Sequence, residues 1–410
     1  METKTLKTVL DRVQQNISSK WPSSLSDTPD QPLLSSYISS EIKETDLEEL
    51  GASLEDVVER IYCEMAAYSF LTKYLVSSEV DEININSWDD ISISYSCGKV
   101  QKTEEHFFDP EHALDIIRRL LRHSGMVIDS SSPIASGHLS NSSRITAIKS
   151  PVVTDEAGVS ASIRILHPNK ITPDTLVKSG FCTGEMLAFL SACLNRGVSI
   201  LASGRTNSGK TTLISTILNA VPDTKRIYVI ESGARELELV KRDSHGKIRN
   251  NVVSTLSRPS DDPKRTITQE DLVESSLRFD PDIIAIGEIR NAEAFSSVEA
   301  SLTGHTVIST VHSGPGESAH SRIALLCQRK YRLGYDLSLN QVRQAFPIIV
   351  FSHRCDDGTR RIMNITECVK RGNEFYYVPL YCFVNNSSGG GFVKANSPSK
   401  ELISRLTQNQ

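Results

Sequence analysis

The sequence has little excess charge, and its cysteines are scattered rather than paired. It contains 45 lysine and arginine residues against 50 aspartate and glutamate residues, a net charge of −5, which argues against a general nucleic-acid binder. No two of its eight cysteines form a CxxC pair. This excludes a zinc site built from close cysteine pairs and is typical of reduced thiols in a cytosolic protein.

Long apolar segments are also missing. The amino-terminal stretch METKTLKTVLDRVQQN lacks the apolar core of a signal peptide, and no apolar run approaches the length of a membrane span. We therefore expect a cytoplasmic protein with no transmembrane segment. Hydrophobic residues nevertheless make up 39% of the chain, which is enough for buried cores.

Composition and periodicity divide the 410 residues into several predicted segments. A polar stretch rich in serine and proline predicts a flexible leader over residues 1–45. Alternating apolar residues at Val80–Asn86 and Ile91–Tyr95, followed by a helical pattern over Pro110–Arg122, predict an α+β domain over residues 46–175. At the other end, a glycine triplet predicts a flexible tail over residues 385–410.

Buried strands alternate with helical segments between residues 176 and 345. Predicted strands cover residues 198–202, 226–230, 283–286 and 306–311. This alternation predicts a mostly parallel sheet, and therefore an α/β domain. Residues 346–384 then predict β hairpins, with Asp357-Gly358 as a turn between two strands.

The stretch GRTNSGKTT follows the first of these strands and matches the pattern GxxxxGK[ST] in full. Its glycines let the backbone wrap around phosphate, so that successive N–H groups point inward, and the following helix adds its dipole. Lys210 would reach the β- and γ-phosphates, and the hydroxyl of Thr211 would bind Mg²⁺. The predicted nucleotide-binding residues are Gly204, Arg205, Thr206, Asn207, Ser208, Gly209, Lys210, Thr211 and Thr212.

Acidic and histidine residues follow the later strands. Glu288 comes after the apolar strand at 283–286, and a carboxylate at the carboxyl edge of a parallel sheet can polarise an attacking water. Gly287 occupies the position where an aspartate often helps to hold Mg²⁺, so Glu231, at the end of another strand, is the candidate metal ligand. Spacing alone leaves open whether Glu231 is a solvated acid, and whether His305 and His312 are structural.

Four segments together resemble the secretion-superfamily ATPases, the motors of type II and type IV secretion, conjugation and type IV pili. GRTNSGKTT, RIYVIES, LRFDPDIIAIGEIRNAEAF and ASLTGHTVISTVHS are similar to the family's Walker A loop, acidic box, Walker B motif and histidine box, in the same order. The resemblance implies a RecA-like P-loop NTPase motor domain, α/β in class, with a smaller α+β N-terminal domain and a short C-terminal β-containing region. VDEININ, VIDSSSP and DGTRR resemble the tight-adherence (Flp-type) branch.

The resemblance also implies roles for single residues. Lys210 and Thr211 would hold ATP and Mg²⁺, with Glu231 in the acidic box, and Glu288 would be the catalytic glutamate. The histidine box would sense the γ-phosphate, and its members here are His305 and His312.

Partners and motion are implied in the same way. Arg144 and Arg164 match arginines of the N-terminal domain that approach the phosphates when the two domains close. The expected protein is a hexameric ATPase that acts with an inner-membrane platform protein of a pilus or secretion system. It would lie on the cytoplasmic face of the membrane through that partner, without direct nucleic-acid binding.

The chain departs from the family pattern at two places, and two alternatives stay open. Ser232 replaces the usual second acid of the acidic box, and His138 lies where many relatives have an acid and an arginine nearby. A nucleotide-gated scaffold that does not hydrolyse ATP would fit the altered acidic box. A RecA-like DNA motor would fit the locally basic loop at residues 241–250.

Overall fold

The computed structural model separates the chain into two compact units. The first runs from Met1 to His167 and the second from Pro168 to Gln410. The predicted boundary near residue 175 therefore lies inside the second unit. The residues whose structure is described are 2–21, 30–122, 124–139, 143–165, 172–258, 264–329, 333–355, 357–386 and 389–407.

Four helices open the first unit, and the first two of them lie within residues 1–45, where the sequence predicted a flexible leader. They are α1 (Glu2–Lys20), α2 (Gln31–Glu41), α3 (Glu44–Leu50) and α4 (Leu54–Ala66). Val13 and Ile17 of α1 are buried in one core with Ile38 and Ile61. The leader prediction is wrong for these described residues, because apolar side chains recur at helical spacing in α1 but are diluted by polar ones. The serine- and proline-rich stretch at 22–29 lies outside the described residues.

An antiparallel sheet completes the first unit. Its strands are β1 (Val80–Ser87), β2 (Asp90–Tyr95), β3 (Val100–Lys102), β4 (Ile134–His138), β5 (Arg144–Lys149) and β6 (Val159–Arg164), in the order β3-β2-β1-β6-β5-β4. Helices α5 (Leu71–Leu75) and α6 (Pro110–Arg122) accompany it. The buried side of α6, with Ile117 and Leu121, shares a core with Ile83 and Ile163 of the sheet. The alternation read from the sequence thus corresponds to a half-buried sheet.

One nine-stranded sheet forms the centre of the second unit. The strands are β7 (Ile200–Ser203), β8 (Arg226–Glu231), β9 (Asn251–Leu256), β10 (Ile283–Ile286), β11 (Thr306–Val311), β12 (Ile348–Arg354), β13 (Arg360–Arg371), β14 (Glu374–Asn386) and β15 (Gly389–Lys394). Their order is β15-β14-β13-β12-β7-β11-β10-β8-β9. The pairs from β12 to β9 are parallel, and those from β12 to β15 are antiparallel.

Helices cover both faces of this sheet. They are α7 (Pro173–Lys178), α8 (Gly184–Asn195), α9 (Lys210–Asn219), α10 (Gln269–Ser276), α11 (Glu293–Leu302), α12 (Glu317–Cys327), α13 (Tyr335–Ala345) and α14 (Lys400–Thr407). Successive residues of a strand enter two different cores: Ile283 packs in one and Ile284 in the other. The near-continuous apolar runs of these strands follow from burial on both sides.

The carboxyl-terminal region is part of the same sheet, and the predicted separation at residue 346 is not observed. Strand β12 pairs in parallel with β7, so the β12–β13 hairpin extends the central sheet. The predicted flexible tail is also wrong for its described residues, since β15 pairs with β14 and Leu402 of α14 is buried. The Glu367 carboxylate accepts hydrogen bonds from Ser399, which anchors the start of α14. The prediction of a flexible tail was based on glycine content alone, which does not exclude a paired strand.

Candidate active site

Strand β7 leads directly into the predicted phosphate loop, and helix α9 leaves it. Gly204 has a φ of 149° and Gly209 a φ of 91°, both in the region that favours glycine. Space is equally tight, because a Cβ at Gly204 would lie 2.3 Å from the carbonyl oxygen of Ser352, and one at Gly209 would lie 2.7 Å from the ring of Phe181. Both glycines of the motif are therefore required by backbone conformation and by close packing.

Lys210 is the first residue of α9, and its side chain turns back over the loop. Its Nζ donates to the carbonyl oxygens of Gly204 at 3.0 Å and Arg205 at 2.7 Å, and the residue is only 6% exposed. The first-turn N–H groups of a helix lack intrahelical partners and carry a positive partial charge. A buried ammonium beside them makes a cradle that is complementary to phosphate.

The other predicted loop residues differ in exposure. Ser208 is buried and its hydroxyl lies 3.1 Å from that of Ser352, whereas the three loop residues before it are exposed. Thr211 and Thr212 are half-buried in the first turn of α9. A hydroxyl oxygen next to a phosphate cradle is the kind of ligand that Mg²⁺ accepts, so Thr211 fits the predicted metal role.

Glu288 lies just beyond β10, and the side chains of Arg290 and His312 contact its carboxylate. The Arg290 Nη2 donates to Oε2 at 2.5 Å, and the His312 Nε2 lies 3.1 Å from Oε1. The Gly287 N–H donates to the Ile230 carbonyl at 2.9 Å, so the pairing with β8 continues to the residue before the glutamate. Glu288 therefore stands at the carboxyl edge of the sheet with its side chain 19% exposed.

His312 connects this glutamate with the phosphate loop. Strand β11 pairs in parallel with β7, so His312 after β11 lies beside Gly204 after β7. Burial lowers the pKa of His312, and the positive charges of Lys210 and Arg290 lower it further, against the opposing effects of Glu288 and of a hydrogen bond to the Gly204 backbone. The imidazole is therefore mainly neutral at pH 7. It links the ammonium of Lys210 and the carboxylate of Glu288 in one cluster.

The second predicted histidine lies elsewhere. His305 precedes the first residue of β11, a strand of six residues, whereas His312 follows the last. Six strand residues span about 20 Å, so the two imidazoles are at opposite edges of the sheet. His305 lines a polar cavity of about 520 Å³ together with Lys225, Asp282 and Arg405. The geometry of a single chain therefore gives no support to the predicted role of His305 in sensing the γ-phosphate.

Glu231 is at the carboxyl edge but is turned into the protein. It is 2% exposed, and its Oε1 accepts the backbone N–H groups of Glu236 at 2.6 Å and Leu237 at 2.8 Å. Strand β8 lies three positions from β7 in the sheet, a lateral distance of about 14 Å. The predicted magnesium role of Glu231 beside Thr211 is not supported, because burial and strand spacing keep the two side chains apart. Glu231 instead fixes the loop that follows β8.

Glu231 should make stability depend on pH. Burial raises its pKa to about 7, from 4.5, although the two backbone N–H groups oppose the rise. Between these values the folded chain keeps a proton that the unfolded chain loses, so the free energy of unfolding falls as pH rises, by up to about 3 kcal/mol. Glu231→Gln, which removes the ionisation, should therefore melt at a higher temperature than the unaltered chain at pH 8.

Thermal unfolding followed by circular dichroism at pH 5 and pH 8 checks this. Glu238→Gln, at an exposed position in the same loop, is the matched control and should keep the pH dependence of the unaltered chain. An equal loss of melting temperature from pH 5 to pH 8 in Glu231→Gln and in the unaltered chain would show that this carboxyl does not titrate as described.

The two predicted arginines lie side by side in the sheet of the first unit. Arg144 of β5 pairs with Arg164 of β6, and His138 of β4 pairs with Arg144 on its other side. Glu82 of β1 pairs with Arg164. Directly opposed residues of antiparallel strands share a face, and like charges there repel each other. The structure thus brings Arg144, Arg164 and His138 into one row, in which the carboxylate of Glu82 lies next to Arg164.

Comparison with known proteins assigns the chain to a family. The model of the type II/IV secretion system protein family matches residues 107–368, which include every predicted site residue. The chain belongs to this family. The family assignment confirms the resemblance read from the four motifs, at the level of secretion ATPases as a whole.

Individual relatives match shorter stretches. An uncharacterized protein of Methanocaldococcus jannaschii is 32% identical over 199 residues, which are 48% of this chain and 34% of that protein. The type IV secretion system protein PtlH of Bordetella pertussis is 31% identical over 178 residues, which are 42% of this chain and 50% of PtlH. The chain therefore spans between a third and a half of the length of these two relatives.

A solved structure with a similar fold supports the fold assignment. The X-ray structure of the Legionella pneumophila ATPase DotB has a TM-score of 0.51 and 18% identity to the chain, and the match covers 73% of this chain and 79% of DotB. The chain has the RecA-like fold of the secretion ATPases, as predicted. Among the described residues, no helix is both long enough and apolar enough to cross a membrane.

Sequence reasoning missed one residue of this secretion-family site. Arg290 was quoted within the Walker B segment but received no role, although its guanidinium contacts the carboxylate of Glu288. The signal available was its position two residues after a strand-end glutamate. That position alone does not show which way an arginine side chain turns, so the contact could be found only in the structure.

Proposed function

We propose that this chain is an ATPase that powers a type II/IV secretion or pilus machine by hydrolysing ATP. The observation that carries the proposal is the placement of Lys210 and Glu288 at one edge of the sheet, linked by His312. A phosphate cradle alone describes a nucleotide-binding protein. A carboxylate beside the cradle adds a group that can take a proton from water, which hydrolysis requires.

The chemistry follows from these side chains. Lys210 and the N–H groups of the loop bind the phosphates and offset their charge. Glu288 accepts a proton from the water that attacks the γ-phosphate, and His312 holds the Oε1 edge of that carboxylate. The hydroxyl of Thr211 would hold Mg²⁺, which would supply further neutralisation of the phosphate charge when bound.

Arg144 and Arg164 would supply positive charge from the first unit. Their side-by-side arrangement on one face favours an anion over any neutral partner. We propose that this anion is the phosphate group of ATP. His138 would take the place of a third arginine.

The assembly that we propose is a ring of six chains on the cytoplasmic face of a membrane. Each chain would act on an inner-membrane platform protein and belong to the Flp/Tad-type pilus branch, on the strength of its branch-specific segments. Two relatives support a transport machine: PtlH is a type IV secretion system protein, and a Mycobacterium tuberculosis relative is a putative conjugal transfer protein.

The basic loop at residues 241–250 gives little support to a DNA motor. Two of its cations, Lys241 and Arg249, contact the same carboxylate, that of Asp223, at 2.8 Å and 3.1 Å. These charges therefore serve the protein's own loop structure. A DNA channel would need its cations directed towards the phosphate backbone.

Mass and turnover measured together test the proposed function. We expect a species of six chains in the presence of ATP, with hydrolysis that single-stranded DNA does not stimulate. Analytical ultracentrifugation and phosphate release, each with and without an oligonucleotide, give the result. A monomer that binds ATP without hydrolysing it would favour a nucleotide-gated scaffold, and stimulation by DNA would favour a DNA motor.

A further inference from the structure

Arg290 occupies a position that the chemistry described above leaves without a role. It follows Glu288 by two residues, and its Nη2 donates to Oε2 of that glutamate at 2.5 Å. The opposite oxygen, Oε1, lies 3.1 Å from the Nε2 of His312. Arg290 therefore donates to one oxygen of the carboxylate while the His312 ring lies against the other, so contacts from two different segments restrict its rotation as well as its location.

The backbone that carries Arg290 is itself anchored. The N–H groups of Arg290 and Asn291 both donate to Oε1 of Glu293, at 2.6 Å and 2.8 Å, and Glu293 is 5% exposed. The Arg329 Nη1 donates to the side-chain oxygen of Asn291 at 2.8 Å. The guanidinium therefore extends towards Glu288 from a fixed point at the start of α11.

Charge around Arg290 makes it the permanent counter-ion of the glutamate. The hydrogen bond that Arg290 donates to Glu288, with the negative charges of Glu288, Glu236 and Glu293, raises the pKa of the Arg290 guanidinium against the effect of burial. His312 on the other oxygen is mainly neutral at pH 7, because burial lowers its pKa. Arg290 therefore places a positive charge beside the carboxylate of Glu288 at every physiological pH.

We propose that Arg290 is a positioning residue, which holds the ionised carboxylate of Glu288 in the orientation that accepts a proton from the attacking water. This inference rests on the proposed ATP hydrolysis, because Arg290 acts only through Glu288. Arg290 itself makes no contact with the nucleotide in this proposal. The turnover rate should therefore depend on Arg290 while ATP affinity does not.

Kinetics of three variants test this separation. Arg290→Ala should lower kcat by about 10- to 100-fold, because a displaced catalytic group loses reactivity steeply. The dissociation constant for ATP should stay within about threefold, since binding in the ground state does not use Arg290. Arg290→Lys should recover part of the rate by restoring a charge without the planar fork. Arg322→Ala, a matched loss of an exposed arginine on α12, should stay within about twofold of the unaltered chain in kcat.

A double-mutant cycle with Glu288→Gln distinguishes positioning from an independent or merely structural role. If Arg290 acts through Glu288, then Arg290→Ala should cause no further loss of kcat when Glu288 is already glutamine. An equal loss in both backgrounds would overturn the proposal, as would a kcat for Arg290→Ala within about twofold of the unaltered chain. Arg290→Gln serves as a second variant, with a melting temperature to verify folding, because the side chain is 53% exposed.

Failure of this inference differs from failure of the proposed function. If the unaltered chain hydrolyses ATP and Glu288→Gln does not, but Arg290→Ala is normal, Arg290 has no positioning role and the ATPase assignment stands. If the unaltered chain binds ATP and never hydrolyses it, both the ATPase function and the positioning role of Arg290 are contradicted.

Discussion

Lys210→Ala is expected to weaken ATP binding by about 10- to 100-fold, because it removes charge-assisted hydrogen bonds to phosphate that contribute about 1.5–3 kcal/mol. The ammonium is buried within its own loop, where it bonds to the carbonyl oxygens of Gly204 and Arg205. It is thus held in place at the first residue of α9. Isothermal titration calorimetry with Mg·ATP measures the effect.

The matched control for this prediction is Lys178→Ala. Lys178 is an exposed lysine in the last turn of α7, so its loss removes the same charge from the second unit without touching the loop. An affinity for ATP that is equal in Lys210→Ala and Lys178→Ala would contradict the assignment of residues 204–212 as the phosphate site.

Glu288→Gln is expected to bind ATP normally and to lose between about 10²- and 10⁴-fold in kcat, the usual contribution of a general base. Glutamine keeps the shape of the side chain and one oxygen, so His312 and Arg290 retain a partner, but it cannot take a proton from water. Steady-state phosphate release under saturating ATP measures the loss.

A neighbouring glutamate provides the comparison. Glu299 is exposed on α11, the helix that follows Glu288 in the chain. Glu299→Gln should keep the kcat of the unaltered chain. Turnover in Glu288→Gln that matches turnover in Glu299→Gln would remove Glu288 from the mechanism and leave the cluster at the carboxyl edge without a base.

Local motifs allowed the centre of this site to be predicted from the sequence. The phosphate loop is contiguous, and the strand before it and the helix after it are recognisable from nine residues and their flanks. Glu288 could be placed because the apolar run 283–286 ends directly before Gly287. In both cases the decisive geometry is set by neighbours in the chain.

Errors arose where sequence proximity did not match spatial proximity. His305 and His312 flank one strand, so they are close in sequence and about 20 Å apart. Glu231 ends a strand at the correct edge, but the strand order puts β11 and β10 between it and β7. Strand order depends on the whole sheet and cannot be read from one segment.

The helices at the amino terminus and the strand and helix at the carboxyl terminus were missed for a different reason. Val13 and Ile17 are buried only because α2 and α4 supply a partner surface, and Leu402 is buried only because α14 packs on the core of the central sheet. Short amphipathic segments gain most of their stability from such packing rather than from their own propensity. Their polar composition therefore looked like that of a flexible terminus.

The central claim is that Lys210 and Glu288 form one site that hydrolyses ATP. The measurement that tests it most directly is phosphate release by the purified unaltered chain with ATP, with Mg²⁺ and then with EDTA, beside Glu288→Gln in the same assay. We predict steady release that requires Mg²⁺ and is lost in the variant. ATP binding by the unaltered chain with no more phosphate release than Glu288→Gln would contradict the account.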